Sequence, residues 1–212
     1  MVDILLPALG ETLYMSLLST FFAVVIGFIL AITLMLTSQG GLRENQKIYA
    51  VLDMIINTLR SFPFIILMIV LFPLTKFLIG KSIGTTAAII PLTIGAAPFI
   101  ARLIESALKE VDSGVVEAAK SFGASDAQII FKVMCVEALP SIISAITLTL
   151  ITVIGFSAMA GAVGGGGLGD VAIKYGYYRF QTDTMIYTVI ILIALVQGVQ
   201  SLGDYLYKIT KK

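Results

Sequence analysis

Between Glu11 and Arg43 the chain carries no charged residue, and most of that stretch is apolar. A helix rises about 1.5 Å per residue, so the stretch is long enough to cross the ~30 Å hydrocarbon layer of a bilayer. Lipid offers no partner for a bare peptide group, so an apolar crossing of this kind must be helical. The excess recurs along the chain: 58% of the 212 residues are hydrophobic, 13% are charged, and mean hydropathy is +1.01. Soluble domains carry about twice that charge fraction. The class is therefore an all-α, multi-pass membrane protein. No basic segment precedes the first apolar block, which is also too long for a signal peptide, so it reads as a retained span.

The same composition removes several functions. Net charge is +1, which argues for neither a nucleic-acid partner nor an acidic one. There is no histidine and a single cysteine, Cys135, so an internal disulfide, a His/Cys metal site and imidazole catalysis are all excluded. Cys135 reads as a packing residue.

Five spans are expected, at about 13–38, 48–73, 84–108, 140–162 and 184–206, in a single domain without linker or internal repeat. Residues 1–12 contain Asp3, Pro7, Gly10 and Glu11 and read as a short surface lead-in. In the second span Ile48, Val51, Leu52, Ile55, Ile56 and Leu59 share one helical face, with Asp53, Asn57 and Arg60 off it. That half fits either the bundle-facing part of a long span or an interfacial helix leading into a shorter one. Pro91 and Pro98 predict kinks in the third. One side of the membrane then holds Arg43, Lys47, Lys109, Lys120, Lys132, Lys208, Lys211 and Lys212. The other holds only Lys76, Lys81, Lys174 and Arg179. The positive-inside rule makes the first set cytoplasmic, with the N-terminus outside and the C-terminus inside.

That orientation places the polar island around Glu117–Pro140 in the cytoplasm. Asp112 or Ser113 can cap a short helix that Gly123 ends in the left-handed conformation, and Ser125 with Gln128 is a capping-box pair opening a second helix. By itself this is compatible with a generic amphipathic loop. Glu117-Ala118-Ala119, three residues and then Gly123, in this topology, resembles the EAA loop of ATP-binding cassette (ABC) importer permeases. The resemblance implies that the loop, about 109–135, docks on an ATPase through Glu117, Ala118, Ala119, Lys120, Gly123 and Ala124. One departure is Val136, which stands where that pattern places proline.

Two further patterns fail on context. Gly164, Gly166 and Gly169 match a dinucleotide fingerprint but follow a membrane helix rather than a strand. Gly80-Lys81-Ser82 ends like a phosphate loop, yet Thr75 stands where its first glycine belongs. The chain is thus expected to bind neither ATP nor Mg²⁺ itself. The glycine run suits close helix packing or irregular backbone lining a cavity. Together with Ser157-Ala158-Met159, Lys174–Phe180, Arg60–Phe64 and Arg102–Ala119, it resembles methionine-importer permeases, over nearly the whole chain. The family implies a type I importer permease fold, a homodimer, two ATPase subunits and an external substrate-binding protein, often a lipoprotein, in the bacterial inner membrane. Arg60, Pro63, Arg102, Met159 and Gly161 are the candidate pathway or gate residues. Three other readings remain: a permease for another small amino acid or peptide; a membrane assembly or scaffold protein, which would need neither the docking loop nor the glycine segment; and an ion-coupled secondary transporter. The last wants acidic residues at mid-membrane and repeated halves, and neither is evident.

Overall fold

The computed structural model describes residues 1–211, and Lys212, one of the cations expected above to be cytoplasmic, lies outside them. Among the described residues the chain is helical, without strands. The order is α1 (Val2–Thr37), α2 (Gln46–Ser61), α3 (Phe64–Val70), α4 (Phe72–Ile79), α5 (Thr85–Lys109) and α6 (Ser113–Ser121). Then come α7 (Asp126–Gln128), a π-helical stretch Ile129–Met134, α8 (Cys135–Glu137), α9 (Leu139–Ala162), α10 (Gly167–Val171), a second π stretch Ala172–Tyr177 and α11 (Thr182–Thr210). Four segments are long and apolar enough to cross a membrane: Val2–Thr37, Thr85–Lys109, Leu139–Tyr177 and Thr182–Thr210. A fifth qualifies if α2 and α3 form one segment, bent by 104°.

The core is the pair α1 and α5. Met15, Ser19, Ala23 and Ala31 are fully buried and recur every fourth residue along one ridge of α1, with Gly27 among them. They meet Leu92, Ala96, Ile100 and Ile104 of α5. Small residues let the backbones approach, the usual basis of helix pairing in lipid. At Gly27 a side chain would strike Ile100 and the Ala97 carbonyl. The Thr93 hydroxyl reaches the Ser19 carbonyl (3.5 Å), and the Ser19 hydroxyl reaches that of Ile89 (3.4 Å). By contrast α11 buries only Thr184, Thr188 and Gly203 and packs on the outer side of α9.

One expectation is refined. The lead-in of residues 1–12 is helix from Val2 onward. Its C-terminal polar residues bond the glycine turn: Gly167 N–H donates to the Glu11 carboxylate (2.7 Å) and Leu168 N–H to the Thr12 hydroxyl (2.9 Å). Leu5 and Ala8 pack on Leu168 and Val171 beside them. For α2, two alternatives stood open. Of its predicted apolar face only Ile56 is buried, while Ile48, Val51 and Ile55 are exposed on the single chain. Ion pairing with α5 has turned Asp53 toward the bundle instead.

Candidate functional site

Two places in the fold gather the predicted residues. The first is α6. The Asp112 carboxylate accepts from Gly114 N–H (2.7 Å) and Val115 N–H (3.3 Å), satisfying the first turn. At the other end Gly123 has φ +77°, so its N–H reaches the Lys120 carbonyl (2.9 Å) and Ala124 N–H the Ala119 carbonyl (3.1 Å). Both ends of a nine-residue helix are thereby closed. Glu117, Ala118, Lys120 and Gly123 are exposed, and Ala119 and Ala124 half-buried. The reciprocal Ser125–Gln128 capping box forms as expected.

Beyond the capping box the chain departs from a regular helix, which the sequence did not announce. Ile129–Met134 is π-helical. The wide turn buries Ile129 and Ile130, adjacent residues, together with Met134. Phe131 meanwhile lies against Phe28 of α1 (centroids 6.4 Å apart). Arg43, in the loop after α1, pairs with Asp126 at 2.5 Å. The island is thus fastened to α1 and to the loop that follows it. Sequence reasoning also passed over Phe122, which is 90% exposed at the end of α6. A bare phenylalanine within a polar island was the available signal.

The second place is the break between α2 and α3. Residues preceding proline avoid helical dihedrals, and Phe62, before Pro63, is extended (φ −71°, ψ 129°). Below the break α2 runs antiparallel to α5. Tyr49 faces Glu105 (3.4 Å), with Lys109 over its ring, while Asp53 and Asn57 meet Arg102 further up. Arg102 also bonds the buried Glu105 (2.7 Å), which accepts from Lys109 as well (2.7 Å). Two cations and two carboxylates therefore neutralise one another across the α2–α5 seam, with Glu105 as the buried acceptor.

Arg60 lies elsewhere, in a cleft with Leu59, Phe62, Phe64, Leu67, Gly95, Phe99 and Phe156. Phe64 and Phe156 stack in parallel, 4.3 Å between centroids. Pro63 flanks this cleft. Met159 is one turn beyond Phe156 on α9 and exposed. Gly161 is buried where α9 meets α10, and a side chain there would strike Gly169 and Asp170. The five pathway candidates thus separate: Arg60 and Pro63 at the break, Arg102 in the seam, Met159 and Gly161 toward the far end of α9. The aromatic pair and Tyr49 were not singled out beforehand, because only the fold brings α3 to α9 and α2 to α5.

The family model described as "Binding-protein-dependent transport system inner membrane component" matches residues 23–211. A probable D-methionine transport system permease protein MetI of Vibrio cholerae is 52% identical, covering 97% of this chain and 92% of its own. The methionine import system permease protein MetP of Bacillus subtilis is 48% identical, covering 84% and 81%. Among solved structures, an inward-facing conformation of the MetNI methionine ABC transporter superposes with a TM-score of 0.98 and 43% identity, over 100% of this chain and 98% of that one. The chain belongs to the family of inner membrane components of binding-protein-dependent transport systems.

Proposed function

We propose that this chain is the membrane-spanning subunit of an ATP-driven importer of methionine. It works as a homodimer on two ATPase subunits that bind and hydrolyse ATP with Mg²⁺, and it receives its solute from an external binding protein. The observation that carries the reading is the superposition on the inward-facing methionine transporter over the whole chain. The capped α6 supports the assignment of Glu117, Ala118, Ala119, Lys120, Gly123 and Ala124 as the docking surface. A helix closed at both ends moves as a unit. The segment that follows it, attached through Arg43–Asp126 and Phe131–Phe28, gives that motion a route into α1 and the loop after it. When the ATPases approach one another, the two α6 helices are drawn with them and the pathway between the copies opens outward. The cation distribution supports a cytoplasmic α6 and C-terminus, with the glycine turn outside. The five spans are α1, the broken α2–α4 segment, α5, α9 and α11.

Reconstitution into proteoliposomes with the ATPase and binding protein tests this. Labelled methionine should accumulate with ATP and not when the ATPase is catalytically dead. Uptake driven by an ion gradient despite a dead ATPase would instead mark a secondary transporter. ATP-driven uptake of an unrelated solute, with none of methionine, would remove the substrate and leave the importer.

A further inference from the structure

The cleft at the α2–α3 break lies at mid-membrane depth. Gly95 stands ten residues from Thr85, and Phe99 ten from Lys109, so the cleft is about 15 Å from either end of α5. Arg60 is exposed there on the single chain and, among the described residues, makes no ion pair, whereas Arg102 is held by two carboxylates. An unpaired guanidinium at that depth does not face lipid; such groups face a bundle interior or a water-filled cavity. The α2–α3 corner is therefore turned toward the pathway shared with the second copy. Beside the guanidinium, the stacked Phe64–Phe156 pair and Phe99 offer aromatic surface. Gly95 keeps the wall low, since even a Cβ there would press on the Phe64 ring at 3.2 Å.

We infer that this cleft is a transit site for an α-amino acid with an apolar side chain, the Arg60 guanidinium taking the carboxylate and the Phe64–Phe156 pair the side chain. Guanidinium and carboxylate match as planar, charge-assisted partners. A thioether is soft and packs well on aromatic rings. A site on a conduction route must also release its ligand, and one charge contact with a shallow apolar wall suits that. The inference rests on the importer reading above.

The test uses the nucleotide-free permease–ATPase complex in nanodiscs, without binding protein, so that only the complex selects. Saturation transfer to the methyl protons of L-methionine is recorded by NMR for wild type, Arg60→Gln and Arg60→Lys. Loss of the charge-assisted contact should weaken binding about tenfold in Arg60→Gln, with partial recovery in Arg60→Lys. Signal left by any site on the ATPases is common to all three and cancels in the comparison. Phe156→Leu, which keeps apolar volume and removes the ring, should weaken binding while assembly persists. Equal binding by wild type and Arg60→Gln, or an Arg60→Lys complex no better than Arg60→Gln, overturns the inference. Wild-type uptake is measured in parallel. Methionine uptake with unchanged binding in Arg60→Gln sinks the cleft alone, and absent methionine uptake sinks the substrate reading with it.

Discussion

Replacing Gly123 by valine should detach the ATPase without disturbing insertion of the permease. Gly123 closes α6 at φ +77°, and nothing lies within 4 Å of where its Cβ would be. The penalty is therefore conformational rather than steric. An L-residue in the left-handed region costs about 1–2 kcal/mol, and β-branching puts valine at the upper end. Nine residues cannot hold a helix alone, so the strain is relieved by losing the end that Gly123 closes. A homodimer presents two such helices, which makes the total ~2–4 kcal/mol, a weakening on the order of 30- to 1,000-fold. Titrating ATPase onto permease in nanodiscs measures this, and retention through affinity purification gives a coarser readout. Asparagine visits the left-handed region more readily, so Gly123→Asn should lie between wild type and Gly123→Val. Wild-type affinity in Gly123→Val, or an asparagine variant as weak as the valine one, would refute the argument from backbone geometry.

Phe122→Ala should also weaken ATPase association, by about 2 kcal/mol if the exposed ring is an interface anchor, with thermal stability of the permease unchanged. Glu105→Ala removes the one buried acceptor of the α2–α5 seam, leaving Arg102 and Lys109 without it. About 3 kcal/mol of stability should go, read as a lower unfolding midpoint in detergent. With Cys135 replaced by alanine, cysteines introduced at Asp170 and Lys211 report topology: an impermeant thiol reagent on intact cells should reach the first and not the second, and the reverse pattern overturns the orientation. Burial pushes the Cys135 thiol up from its ordinary value. Its thiolate is thus scarcer than in the unfolded chain at any pH near neutrality. Iodoacetamide labelling should be slower in native than in denatured protein, and should keep rising with pH after the denatured thiol has levelled off.

Much of the architecture was legible because lipid imposes a simple rule on sequence. An apolar block either spans or it does not, and the blocks that begin at Leu13, Gly84, Pro140 and Thr184 each fall in one of the long apolar helices. The caps of α6 and the Ser125–Gln128 box were legible because they are local. What failed was non-local. Periodicity gave α2 an apolar face but could not say that Arg102 would draw in Asp53, on the flank of that face beside Leu52 and Ile56. Polar residues near the start of α1 look like a surface lead-in until α10 is placed beside them. The π turn at Ile129–Met134 has no local signature at all. It is visible only when adjacent isoleucines are found facing the same core. Within the candidate sites, Arg60 and Pro63 could be picked from the sequence, but the Phe156 ring stacked on Phe64 could not.

The bonds from Gly167 to Glu11 and from Leu168 to Thr12 join residues 156 apart in each case. During synthesis the N-terminal turns of α1 therefore wait, the Glu11 carboxylate and the acceptor side of the Thr12 hydroxyl unmatched, until nearly four fifths of the chain has been made. The entropy of closing so long a loop grows only logarithmically, so the completed corner is not weak for being late. It is, however, a natural checkpoint. A chain halted before α10 carries a first helix whose N-terminal end lacks its partner. The same distance slows the step, because contacts between remote segments form after local ones. Maturation of this protein should thus end with the α1–α10 clasp.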